Sequence, residues 1–151
     1  MIEERLAGLG LKLPAATAPV ANYVPFVETG GMLHISGQIS IDEHGQPITG
    51  RLGEDLSVEQ GVAAARRSAL ALVAQLGAAD PGFARLERWV KLNVFVASAP
   101  GFTEQPKVAN GASDLIVALF ADQGRHARSA VGVAMLPLGV AVEIDALVAL
   151  G

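Results

Sequence analysis

From Val140 to Val148 the chain alternates, with Val140, Val142, Ile144 and Val148 on one side and Ala141, Glu143 and Asp145 on the other. A period of two belongs to a strand with one buried face, and it predicts a strand over Val140–Ala149. Glu87–Ala97 behaves the same way: Val90, Leu92, Val94 and Val96 face one side, Trp89, Lys91, Asn93 and Phe95 the other. Arg128–Met135 predicts a further strand, joined to the last through Leu136-Pro137-Leu138-Gly139. Near the N-terminus, Val24–Thr29 and Met32–Ile39 flank Gly30-Gly31, the signal of a tight hairpin. After an Asp42-Glu43-His44-Gly45 turn, Gln46–Thr49 reads as a short edge strand, a position that tolerates Pro47.

Between these runs the period changes. Ser57-Val58-Glu59-Gln60 fits a capping box, and Val62, Ala65, Ala69, Leu72, Val73 and Leu76 then share one helical face, with Gly77 as the expected stop. A second helix is expected from Pro106 to Phe120, weakened in its middle by Asn110-Gly111 and ended by Gly124. Residues 1–20, with Pro14 and Pro19, read as an irregular N-terminal arm holding at most a short helix at Ile2–Leu9. No repeat or linker divides the chain, so 1–151 is expected to be a single domain. The order strands, helix, strand, helix, two strands predicts an α+β fold, a sheet with two helices packed on one face.

Composition adds a partner surface. Hydrophobic residues make up 51% of the 151 positions and charged residues 17%. For so small a chain this is apolar surface in excess, and a subunit interface is its simplest outlet. The net charge is −4, and Arg66–Arg67 is the one adjacent basic pair, inside a helical pattern, so no footprint for nucleic acid is present. Without cysteine, thiolate catalysis and Cys-ligated zinc are excluded. The acidic start Met1-Ile2-Glu3-Glu4-Arg5 is unlike a signal peptide, and Pro137, Glu143 and Asp145 interrupt the apolar stretch Ser129–Gly151. A cytoplasmic protein that does not engage a membrane is expected.

Two charges stand out as candidate chemistry. Glu143 interrupts an apolar strand; either its face is wetted, with Asp145 beside it, or a neighbouring subunit covers it and the carboxylate becomes a general acid/base candidate. Arg128 opens the preceding strand, either as an ordinary surface arginine or as a fork of donors matched to a carboxylate. Ser36-Gly37-Gln38 marks a bulge or a close approach of backbone to ligand. His126 is a possible base, whereas His34 reads as a strand residue and His44 as a turn residue; the three lack metal-ligand spacing. Ser129 has no Gly-x-Ser-x-Gly context, and no phosphate-binding glycine loop is present. Neither a metal nor another cofactor is expected.

In order along the chain, Leu33-His34-Ile35-Ser36-Gly37-Gln38-Ile39, Val90-Lys91-Leu92-Asn93-Val94-Phe95-Val96, Ala127-Arg128-Ser129-Ala130-Val131-Gly132-Val133, Leu136-Pro137 and Val142-Glu143-Ile144 together resemble the RidA/YjgF family, whose older label is endoribonuclease L-PSP. The resemblance covers nearly the whole chain from Asn22 on. It implies a chorismate-mutase-like fold assembled as a homotrimer, with clefts between subunits that bind a small carboxylate or imine. It implies catalytic roles for Arg128, gripping the substrate carboxylate, and Glu143, placing or relaying protons to water. Tyr23, Ser36, Gly37, Asn110 and Ala130 would line the cleft. The implied reaction is hydrolytic deamination of 2-aminoacrylate or 2-iminopropanoate to pyruvate and ammonia. An imine carbon is already electrophilic, so positioning and a proton relay suffice without a covalent nucleophile or metal.

The chain departs from that pattern in places. Ala130 stands where many members carry Cys, a harmless change if only the backbone carbonyl at that point handles the water. Ala99–Asn110 is longer than in the family's deaminases, and the arm Leu9-Gly10-Leu11-Lys12-Leu13-Pro14, followed by Pro19-Val20-Ala21-Asn22-Tyr23, marks a distinct branch. The alternatives are a non-catalytic trimer that binds a small carboxylate or regulates a partner, and a ribonuclease or translation inhibitor. Against the last stand the acidic charge and the lack of paired histidines.

Overall fold

The computed structural model describes residues 1–19 and 21–151. The expected hairpin is formed by β1 (Phe26–Thr29) and β2 (Met32–Ile39), with Thr29 opposite Met32. Gly30 and Gly31 both take positive φ, the twist that a two-residue turn needs to bring antiparallel strands together. With β3 (Leu86–Ala97), β4 (Ala127–Val133) and β5 (Val142–Leu150) they make a five-stranded sheet in the order β1-β2-β5-β3-β4. All neighbours are antiparallel except β3 and β4, whose parallel pairing requires a crossover, supplied by a helix.

Among the described residues three α-helices accompany the sheet: α1 (Ile2–Gly8), α2 (Val58–Ala79) and α3 (Gln105–Phe120). The capping box of α2 forms in both directions, with Gln60 N–H donating to Ser57 Oγ and Ser57 N–H donating to Gln60 Oε1. Leu72, Val73 and Leu76 of α2, with Leu115, Ile116 and Leu119 of α3, pack in one core with Leu33, Leu92, Val94, Val142, Ile144 and Val148 of the sheet. Burying each such aliphatic side chain contributes about 1.5–3 kcal/mol. The sheet is therefore helix-covered on one face and open on the other. The short helix α1 docks on α3, where the Arg5 guanidinium donates to the carbonyl of Leu119. Gln75 Nε2 donates to the Thr17 carbonyl and ties down the arm that follows; Val20, the arm's expected end, lies outside the described residues.

Several details differ from the sequence pattern. The register of β3 against β5 slips between Trp89 and Lys91, so Trp89 is fully buried instead of facing out with Lys91. Its ring stacks at a tilt on Phe120, and burial of a large aromatic outweighs strict alternation. Gln46–Thr49 forms isolated bridges only, Ile41 with Pro47 and Thr49 with Val140, because Pro47 has no N–H to continue a ladder. Helix α2 continues past Gly77 to Ala79, just before Pro81; a Cβ at position 77 would sit 3.3 Å from Phe83 Cζ, so Gly77 makes room for a ring rather than a stop. Strand β4 ends at Val133 and β5 begins at Val142, because a 3₁₀ turn at Pro137–Gly139 takes the chain off the sheet. Gly111 is no weak point in α3: a Cβ there would lie 2.2 Å from the carbonyl oxygen of Val62, so it lets α2 and α3 approach.

Candidate functional site

Strand β5 presents Val142, Ile144, Ala146 and Val148 to the core and Glu143, Asp145 and Leu147 to the open face. There Glu143 borders a concavity of about 690 Å³ with Tyr23, Ser36, Gly37, His34 and Lys91. The floor is shaped by a bulge in β2, where the register against β5 shifts between Ile35 and Gln38. Ser36 is fixed in it: its N–H donates to the Pro25 carbonyl at 2.9 Å and its hydroxyl to the Val24 carbonyl at 2.8 Å. Gly37 is needed for space rather than for a left-handed backbone, since a Cβ there would come within 3.1 Å of Glu143 Oε2. Ser36-Gly37 is thus a bulge and a wall of the concavity at once.

Glu143 is half-buried, and its proton affinity follows from that. Burial pushes the carboxyl above its ordinary value, and the Asp145 carboxylate, on the same face of the strand, pushes it further. Asp145 is held by Asn93, whose Nδ2 donates to Asp145 Oδ1 at 2.7 Å. A carboxyl group so placed can hold or release a proton nearer neutrality than a solvated one.

Arg128 lies elsewhere. In the parallel register Arg128 is opposite Leu92 and Ala130 opposite Val94, which puts both on the helix-facing side of edge strand β4. Glu143 is opposite Phe95, on the open face. The guanidinium is held against α3: Nη1 donates to Asn110 Oδ1 at 2.9 Å and to Ser113 Oγ at 3.1 Å, and Nη2 to the Pro106 carbonyl at 3.3 Å. Pro106, Asn110 and Ser113 stand at i, i+4 and i+7, one helical stripe. Three of the five guanidinium hydrogens are so engaged, and the one on Nε and the second on Nη2 have no partner among the described residues.

The structure therefore gathers Tyr23, Ser36, Gly37 and Glu143 around one concavity, and places Arg128, its partner Asn110 and Ala130 on the helix-facing side of the sheet. It does not bring the two together within one chain. His126 is no free base: its Nδ1 is 2.6 Å from the Gly124 carbonyl and its Nε2 is 2.9 Å from Ser113 Oγ. Ser113 and Asn93 were not singled out from sequence, although the stripe from Pro106 through Asn110 to Ser113 carried the signal for the first. Among the described residues no group of three or more His, Asp or Glu side chains is placed to hold a metal ion, and no helix is long and apolar enough to cross a membrane.

The family model described as Endoribonuclease L-PSP matches residues 14–150. Protein TCP17 of Trypanosoma cruzi is 56% identical over 150 residues, 99% of this chain and 94% of its own. A crystal structure of a protein of unknown function from Agrobacterium tumefaciens, 46% identical, superposes with a TM-score of 0.93, covering 99% of this chain and 92% of that one. RidA from an Antarctic Psychrobacter, 30% identical, superposes less closely, with a TM-score of 0.61 over 89% of this chain and 93% of its own.

Proposed function

The chain belongs to the RidA/YjgF family, that of the Endoribonuclease L-PSP model, and we propose that it is a homotrimer that hydrolyses small carboxylate-bearing imines in clefts between its subunits. The observation that carries this reading is the placement of Arg128 and Glu143 on opposite faces of one sheet. Arg128 and Glu143 do not reach one another within one chain, and in this reading a second copy brings the arginine of one chain to the carboxylate of the next. The open face is suited to such contact, with Val27 and Val131 about half exposed and Tyr23 59% exposed beside the concavity.

In the cleft, the free edge of Arg128 binds the substrate carboxylate in its plane and so sets the position of the imine carbon. Glu143 accepts a proton from water as the water oxygen adds to that carbon and the C=N pair moves to nitrogen. The proton is passed to nitrogen, which makes the carbinolamine. Transfer of the hydroxyl proton to the same nitrogen by the same carboxyl then expels ammonia and leaves the carbonyl of a 2-oxo acid. Glu143 ends as it began, and its raised proton affinity suits a group that must take and return a proton.

The test is direct: 2-aminoacrylate generated enzymatically in the presence of the protein, with loss of the imine followed against the uncatalysed rate. Acceleration that disappears in Arg128→Ala and in Glu143→Gln supports the reading. Loss at the buffer rate with carboxylate binding retained makes the protein a binding module instead.

A further inference from the structure

With a neutral His126 ring, the hydrogen bonds around Arg128 have one consistent direction. The Gly124 carbonyl can only accept, so the proton of the neutral His126 ring is on Nδ1, 2.6 Å away. Nε2 is then an acceptor, and the Ser113 hydroxyl 2.9 Å from it donates its single hydrogen there. With that hydrogen committed, Ser113 Oγ can only accept from Arg128, at 3.1 Å. The chain of donation runs from Arg128 to Ser113, to His126, to the Gly124 carbonyl. Burial pushes the pKa of His126 down against the opposing Gly124 hydrogen bond, and the charge of Arg128 adds to the fall, so the surroundings favour the neutral ring.

We propose that Ser113, oriented by His126, is a positioning residue for Arg128 that fixes which edge of the guanidinium is offered to a ligand carboxylate. The proposal rests on the reading of Arg128 as the carboxylate anchor. Asn110 and Ser113 together occupy both hydrogens of Nη1, and Pro106 takes one of Nη2. Removing the Ser113 acceptor frees a third donor. A carboxylate can then engage more than one edge, and its reacting carbon is no longer held in one place. The Ser113 hydroxyl can serve as a fixed acceptor only while His126 takes its hydrogen, so an acceptor at position 126 matters more than an aromatic ring there.

Pyruvate binding measured by calorimetry on the 151-residue protein separates these roles. Arg128→Ala should abolish binding. Ser113→Ala and His126→Phe should each weaken it by about 10-fold, the scale of one hydrogen bond to a charged group. His126→Gln, which keeps a neutral acceptor, should bind within a few-fold of wild type. A packing role for the ring predicts the reverse order, with Phe better than Gln, and that order overturns the proposal. So does wild-type affinity in Ser113→Ala while Arg128→Ala has lost binding; the anchor then stands without its positioning residue. Wild-type affinity in Arg128→Ala removes the anchor and the proposal together. ¹⁵N shifts of His126 in the wild-type protein give a check that needs no variant to fold: protonation at Nδ1 is expected, and a ring protonated at Nε2 overturns the proposal.

Discussion

Gly37 and Glu143 are packed so closely that a Cβ on Gly37 would lie 3.0 Å from Glu143 Cδ. Two strands approach there without a side chain between them, and the carboxylate takes the space. Gly37 has no positive φ, so alanine is free of backbone strain and its effect falls on Glu143. Gly37→Ala should melt within a few degrees of wild type, because the far end of a flexible side chain is what must move. Imine turnover should nevertheless fall by about 10²-fold, the cost of displacing a catalytic group by an ångström. Unchanged turnover would mean that Glu143 need not sit where it does.

Glu143→Gln preserves shape and removes the titrating group, and turnover should drop by about 10²-fold. Stability supplies an independent check with a definite sign. The folded-state pKa of Glu143 is raised above its ordinary 4.5, so the fold favours the protonated form. That contribution is complete below pH 4.5 and is lost as pH rises through the raised value. At neutral pH the glutamine variant should therefore melt no lower than wild type, and any advantage should shrink on acidification. A variant markedly less stable at neutral pH would identify Glu143 as a structural partner.

Arg128→Lys keeps the charge and loses the fork. An ammonium attracts a carboxylate without fixing its plane, and it cannot satisfy Asn110, Ser113 and Pro106 while presenting two further donors. Each charge-assisted hydrogen bond contributes roughly 1.5–3 kcal/mol, so kcat/KM should fall by at least ~10²-fold. On an imine without a carboxylate, wild type and Arg128→Lys should be about equally poor. Near wild-type rates on the carboxylate substrate would reassign the anchor.

Hybrid trimers test the shared cleft. If Arg128 and Glu143 of one site come from different chains, Arg128→Ala and Glu143→Gln subunits refolded together should regain activity that neither has alone. Each hybrid trimer would contain one intact cleft. Light scattering should report three chains in every preparation. Failure of the mixture to recover activity, with hybrids confirmed by native mass spectrometry, would place both residues of a site in one subunit.

Gly111→Ala tests the helix layer beneath Arg128. The added Cβ would meet the backbone carbonyl of Val62 at 2.2 Å, and backbone cannot turn aside as a side chain can. Overpacking of this kind costs about 1–3 kcal/mol, which lowers Tm by about 2–4 °C for each kcal/mol in a chain of this size. Gly8→Ala, in helix α1 with nothing within 4 Å of the new atom, is the control and should not lower Tm.

Periodicity alone determined much of this protein. The alternation through Val142, Ile144 and Val148 identifies β5 and its buried face, and the Ser57–Gln60 box marks the start of α2, because both signals are local in the chain. The segments around Ser36-Gly37, Arg128 and Glu143 also sufficed to indicate the family. Tertiary structure decided the rest. Trp89 left the alternating pattern for the core because a bulge in β3 let a large ring be buried beside Phe120. Gly111 became a helix contact rather than a helix fault because Val62 of another helix lies against it. Ser113 and His126 meet across a turn, and Arg128 and Glu143 part to opposite faces, because strand order and register set which side chains share a space. Those are relations between distant segments, settled by burial and packing across the sheet, and a local pattern of apolar and polar positions does not encode them.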